Sequence, residues 1–269
     1  MACACQSNDN IKAKLENIIK HNDEVYSFDF SSHEITTWSE GDHSKLYVGV
    51  NGAVIGKKFS YATTPDEMII RFTTRIKTDR SDYKEALYQL EIGDEIDLSK
   101  PSGDFGLRRV DKAIIILSNG VGLAASRSLV KAFVQDMRSI PYMMQINVDK
   151  TGQLYADEFE VIENQFDSFK SIYMSSREIY YQSLDFYIQD VIEAHDDPLF
   201  YVVGSQNFVS DTKSHLESVG FTEEDIITDG HISTGCGCSA EESCGCGGNL
   251  ITEINPKDHL LFPVVSKVS

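Results

Sequence analysis

Residues 56–67, GKKFSYATTPDE, set Lys57 and Lys58 beside the ring of Phe59 and the hydroxyls of Ser60 and Tyr61, then stop at Thr-Pro-Asp. Positive charge, a flat apolar face and a hydroxyl donor this close together suit a ligand that is flat, anionic and hydrogen-bonding. If the stretch is a strand, Lys57 and Phe59 share one face while Lys58 and Ser60 share the other. An ordinary edge strand with solvated lysines has the same composition.

Three further stretches carry chemistry of the same kind. IIILSNGVGLAASRSL reads as a buried strand, a turn at Gly120, Val121 and Gly122, and a helix start. Backbone N–H groups there can approach a pyrophosphate at a helix N-terminus, although such turns also serve plain chain reversal. YMSSREIYYQSLDFYIQ is expected to bring Ser176, Arg177, Tyr187 and Gln189 to one sheet edge. A hydroxyl and a guanidinium can hold a 2′-phosphate and Tyr187 can stack on adenine; a capped helix with a surface arginine is the alternative. RSDYKEALYQLEIGDEI joins a strand to a helix whose amides and Lys84 offer a second phosphate cradle, or a plain N-capped helix with a solvated lysine.

The elements that must position these residues change character along the chain. Up to about residue 108, VYSFDF, SKLYVGV, EMIIRFTTRIK and DEIDLS read as short strands between Gly, Asp, Asn or Pro clusters, interrupted by one helix, SDYKEALYQL. A barrel or sandwich follows. From KAIIILS onward, buried apolar runs alternate with helical periodicity, which implies a parallel sheet covered on both faces. The expected divisions are 8–109, a β-barrel; 110–231, an α/β domain; and 232–269, a cysteine-rich tail.

The 269 residues carry a net charge of −18, which opposes a nucleic-acid partner. Lys57 to Lys112 holds eleven basic and eleven acidic residues, so this neutral segment is the least hostile place for an anion. No apolar run is long enough for a secretory leader or a membrane span, and a cytoplasmic location is expected. The six cysteines form three Cys-x-Cys pairs. In a reducing compartment, clustering favours metal or redox chemistry over disulfides. Cys236, Cys238, Cys244 and Cys246 are candidate ligands for zinc or an iron–sulfur cluster, although paired C-x-C departs from the usual spacing of both; a thiol-rich tail without metal is the alternative.

Taken in order, the motifs resemble the ferredoxin–NADP reductase superfamily over roughly residues 12–230. KKFS is similar to its Arg-x-Tyr/Phe-Ser flavin strand, with Lys57 for Arg. SDYKEAL looks like its flavin-phosphate helix, giving Ser81, Tyr83 and Lys84. SNGVGLAASRS resembles its nicotinamide-domain loop, keeping Gly120, Gly122, Arg127 and Ser128. SSRE with YIQ looks like its 2′-phosphate and adenine pair. FYVVGSQNFV is similar to its last-strand motif, with Gly204 kept and Val203 where the family has Cys.

The resemblance implies an N-terminal antiparallel flavin-binding β-barrel followed by a parallel-sheet NAD(P)-binding α/β domain. It implies FAD, with Lys57 at the pyrophosphate, Phe59 against the flavin and Ser60 donating to flavin N5. Hydride would come from NADPH, favoured by Ser176 and Arg177, or from NADH. Single electrons would then pass to a ferredoxin or flavodoxin, a ferric chelate or a partner oxygenase. A flavin or iron–sulfur electron-transfer subunit that does not itself oxidise NAD(P)H, and a small-molecule or metal sensor, are the rival classes. In one flavoprotein relative a cysteine cluster after the nicotinamide domain carries a [2Fe–2S] centre.

Overall fold

The computed structural model describes residues 10–35 and 37–229, all within one compact unit. Its first half is a six-stranded antiparallel sheet of β1 (Ile11–Lys20), β2 (Val25–Ser31), β3 (His43–Val50), β4 (Ala53–Ser60), β5 (Ile70–Arg75) and β6 (Glu95–Leu98), ordered β4-β3-β6-β1-β2-β5. Beyond β4 the Ala62 amide donates to the Arg71 carbonyl at 2.9 Å, curling one edge towards the other as a half-barrel. Asn51 and Gly52 both take positive φ, the two-residue turn that matches strand twist and fixes the β3–β4 register. Inward-facing Phe28, Phe30, Leu46, Tyr61 and Phe72 form the core, and α1 (Asp82–Tyr88) closes it with Tyr83 and Leu87.

Strand β1 has no counterpart among the strands expected from sequence. Ile11, Ala13 and Leu15 point inward between charged residues, so only half the strand is apolar, and a bulge between Leu15 and Asn17 breaks the alternation.

The second half is the expected parallel sheet: β7 (Ile114–Asn119), β8 (Met143–Val148), β9 (Phe169–Met174), β10 (Leu199–Val203) and a short β11 (Ile226–Thr228), ordered β11-β10-β7-β8-β9. Helices α2 (Leu123–Gln135) and α3 (Ala156–Gln165) cover one face; α4 (Arg177–His195) and α5 (Gln206–Ser218) cover the other. The chain steps outward from β7 to β9 and then returns to the opposite side of β7. That reversal opens a crevice between the carboxyl ends of β7 and β10, where ligands of open α/β sheets bind. Among the described residues no helix is long and apolar enough to cross a membrane.

Candidate active site

Two cations gather on the half-barrel. Strand β4 carries Lys57, whose ammonium lies 5.0 Å from the Tyr83 ring centre; α1 carries Lys84, whose ammonium lies 4.9 Å from the Phe59 ring centre and bonds Thr74 Oγ1. Burial and then the neighbouring Lys57 charge push the Lys84 pKa down to about 8. Two facing ammonium groups with no carboxylate partner among the described residues form a site that an anion would relieve. Phe59 is 9 % exposed, stacked near Tyr83 at 6.3 Å and covered by Lys84, so a ligand reaching its ring must displace that ammonium. Tyr83 itself is core, with its hydroxyl donating to the Leu46 carbonyl, and Tyr61 is buried against Trp38. Ser81 caps α1 by accepting from the Lys84 amide.

One residue further on, Ser60 donates its hydroxyl to Asp229 Oδ2 at 3.1 Å. Asp229 is 7 % exposed and follows β11, with its amide donating to the Val202 carbonyl of β10. The pair therefore joins the half-barrel to the carboxyl edge of the parallel sheet, one strand from the crevice. Sequence reasoning missed Asp229, whose only local signal is an acid directly after a three-residue apolar strand.

The crevice is built by backbone approach. A side chain at Gly122 would place Cβ 2.9 Å from the Val203 carbonyl oxygen and 3.0 Å from Gly204 Cα; at Gly204, where φ is +155°, it would meet Asn119 Cβ at 2.9 Å. Gly120 takes φ +59° beside Arg75 and Asp149, while Val121 packs on the α2 side. Gly122→Ala is therefore expected to lower stability by about 1–3 kcal/mol, the usual cost of overpacking, read as a drop in the urea midpoint. Across the mouth, Arg177 Nη2 donates to Ser205 Oγ at 3.0 Å, and Ser205 in turn approaches Asn119 Oδ1 at 3.4 Å.

Two expectations are corrected. Tyr187 and Gln189 do not join Ser176 and Arg177, because α4 starts at Arg177 and runs unbroken to His195. A rise of about 1.5 Å per residue puts them roughly 15 and 18 Å along the axis from Arg177. Gln189 bonds Glu193, and Tyr187 packs on the core beside Phe186. Ser176 caps the helix by accepting from Ile179 N.

Arg127 is likewise not free for a nucleotide. It is 4 % exposed and uses all five N–H donors on Glu67, Glu158 and the Ala62 carbonyl, at 2.6–3.0 Å. Burial opposes its charge, but the two carboxylates more than reverse this and raise its pKa. It clamps α2 and α3 to the half-barrel. Arg75 with Asp149 at 2.7 Å, Thr73 with Tyr155 at 2.6 Å and the Gly41 amide with Ser128 Oγ at 3.2 Å reinforce the same seam.

Cys236, Cys238, Cys244 and Cys246 lie outside the described residues. Among the described residues no group of three or more His, Cys, Asp or Glu side chains is arranged to hold a metal ion.

No family model matches the chain. It is 23 % identical over 219 residues to a flavohemoprotein of Burkholderia sp. (strain TH2), covering 77 % of this chain and 55 % of that protein. It is 23 % identical over 205 residues to one subunit of the Na(+)-translocating NADH-quinone reductase of Haemophilus ducreyi, covering 68 % and 50 %. The chain thus spans about half the length of the curated relatives it matches. Among solved structures, a ferredoxin NADP+ reductase from Neisseria gonorrhoeae with bound FAD and NADP superimposes with a TM-score of 0.72 at 16 % identity, over 82 % of this chain and 98 % of that one. A curled antiparallel sheet, here carrying KKFS, followed by a parallel sheet, here with its switch point at SNGVG, gives this chain the same fold as that reductase.

Proposed function

We propose that the protein is an NAD(P)H-dependent flavin oxidoreductase that hands electrons to a one-electron acceptor. The observation that carries this reading is the Ser60–Asp229 pair, a hydroxyl held by a buried carboxylate between the cationic half-barrel and the switch-point crevice. The residues fit a flavin nucleotide: Lys57 and Lys84 are cations lacking carboxylate partners among the described residues, and Ser60 keeps a hydroxyl at the seam. The names of the relatives, among them a flavohemoprotein and a component of an NADH-quinone reductase, support the same class.

A bound flavin would supply the redox chemistry, accepting hydride from dihydronicotinamide and releasing electrons singly. Lys57 and Lys84 hold its phosphates, Lys57 as a point charge where an arginine would give a planar fork. Asp229 holds the Ser60 hydroxyl at the seam, and the single hydroxyl proton would turn from Asp229 to the flavin once flavin is bound. Gly120, Gly122 and Gly204 let backbone come close to the nicotinamide nucleotide. The acceptor docks on the part of the half-barrel built from residue 57 onward, since residues 57–112 are charge-balanced and the remainder of the chain carries the whole −18. The cysteine tail is proposed as a zinc or iron–sulfur site, to be tested by metal and sulfide analysis of anaerobically prepared protein.

Lys84 makes flavin binding proton-linked. With its pKa near 8 in the absence of ligand, the ammonium is charged below that pH, and a bound phosphate raises the pKa further. Binding above pH 8 thus takes up a proton, and affinity falls by up to about tenfold per pH unit. Fluorescence titration with FAD between pH 6.5 and 9.5 measures the slope, and Lys84→Met is expected to flatten it.

The deciding experiment is an absorbance spectrum of the isolated protein, followed by addition of NADH and of NADPH without air. Flavin bands that bleach promptly are expected. Colourless protein that takes up neither FAD nor FMN would refute the assignment, and bleaching only after a partner protein is added would reduce it to an electron-transfer component.

A further inference from the structure

The arginine expected to read a 2′-phosphate stands elsewhere. The strand before it, β9, lies at the outer edge of the sheet, yet the guanidinium crosses towards β10, donating to Ser205 Oγ at 3.0 Å and lying 5.7 Å from the Phe208 ring centre. Ser205 is the N-cap of α5 and touches Asn119 at the end of β7, so Arg177 sits at the mouth of the crevice. It is half-buried, and only one of its hydrogen bonds is made within the protein among the described residues.

Its neighbours are acidic. Asp211 Oδ2 lies 3.9 Å from Arg177 Nη1, and Glu178 follows it in the first turn of α4. Along α4 the charged residues other than Arg177 and His195 are Glu178, Asp185, Asp190 and Glu193. The next cation on α5, Lys213, is paired with Glu223 at 2.8 Å. A 2′-phosphate brings about two negative charges and would meet one arginine among carboxylates. A ribose diol instead donates hydrogen bonds to carboxylates, and a pyrophosphate spanning the crevice faces Arg177 and the Gly120–Gly122 backbone.

Resting on the reading proposed above, we infer that this site is built for NADH rather than NADPH, with Arg177 holding the pyrophosphate and Asp211 and Glu178 taking the adenosine ribose hydroxyls.

Calorimetric titration of the full chain with ADP-ribose and with 2′-phospho-ADP-ribose tests this without turnover. ADP-ribose is expected to bind at least about tenfold more tightly. Arg177→Ala is expected to weaken both by a similar factor, about ten- to a hundredfold, and Asp211→Asn to narrow the gap between them. Tighter binding of the 2′-phospho ligand, lost selectively in Arg177→Ala, would overturn the inference while leaving the oxidoreductase reading intact. Binding of neither ligand would overturn both.

Discussion

Ser60→Ala is expected to slow flavin reduction by nicotinamide about a hundredfold, the low end of what a positioned proton donor contributes, while flavin content stays near that of the parent protein. The Ser60 hydroxyl reaches across the seam to Asp229. Its removal deletes the seam hydroxyl without touching Lys57 and Lys84, the cations proposed to hold phosphate. Asp229→Asn retains an acceptor oxygen and is expected to slow the step by about tenfold, since a neutral amide anchors the hydroxyl at the seam more weakly than a carboxylate. Stopped-flow bleaching at saturating nicotinamide separates the two variants. Equal rates in parent and Ser60→Ala would remove Ser60 from the reaction.

The second large effect is on stability. Arg127→Met leaves Glu67 and Glu158 with Lys131, 3.3 Å from Glu158, as their remaining nearby cation, and the Ala62 carbonyl without its donor. Breaking a buried pair by deleting one partner costs about 3–5 kcal/mol; with the carboxylates 22 % and 29 % exposed, water recovers part of this. A loss of about 2–4 kcal/mol is expected. The pH dependence has a definite sign. Burial alone would raise the Glu67 pKa, but hydrogen bonds and charge from Arg127 hold it below its ordinary 4.5. That contribution is fully present above pH 4.5 and fades as pH falls through the lowered folded value. Without the arginine, Glu67 keeps only the Thr64 amide and the Lys131 charge against its burial, so it protonates more readily and the repulsion between the carboxylates is relieved. The gap between parent and variant urea midpoints should therefore narrow from about pH 7.5 to about pH 4.5. A gap that stays constant would show that the carboxylates do not answer to Arg127.

The α/β half was the most legible part of the sequence. Parallel strands buried on both faces must be continuously apolar, and KAIIILS and LFYVVGS say so directly. The half-barrel was harder, because its strands are apolar on one side alone, and β1 hides its three inward residues among lysines and glutamates. The paired lysines on β4 and α1 and the glycine crevice were readable as local motifs. Arg127 was not, since its purpose depends on Glu67, sixty residues earlier, and Glu158, thirty-one later. The same holds for Asp229 and Ser60, which lie 169 residues apart. The misplacement of Tyr187 and Gln189 had a signal that could have prevented it. REIYYQSLDFYIQDVIEAH contains neither Gly nor Pro, so nothing ends the helix between Arg177 and Tyr187.

The seam clamp also bears on how the molecule can be taken apart. The guanidinium belongs to the C-terminal half, while the Ala62 carbonyl and the Glu67 carboxylate that it serves belong to the N-terminal half. A gene cut between β6 and β7 would yield one fragment with an acidic notch open to water and another with a bare cation wedged beside Glu158. Either piece expressed alone would be prone to aggregate, and reassembly from co-expressed fragments is the route by which each half can be labelled independently.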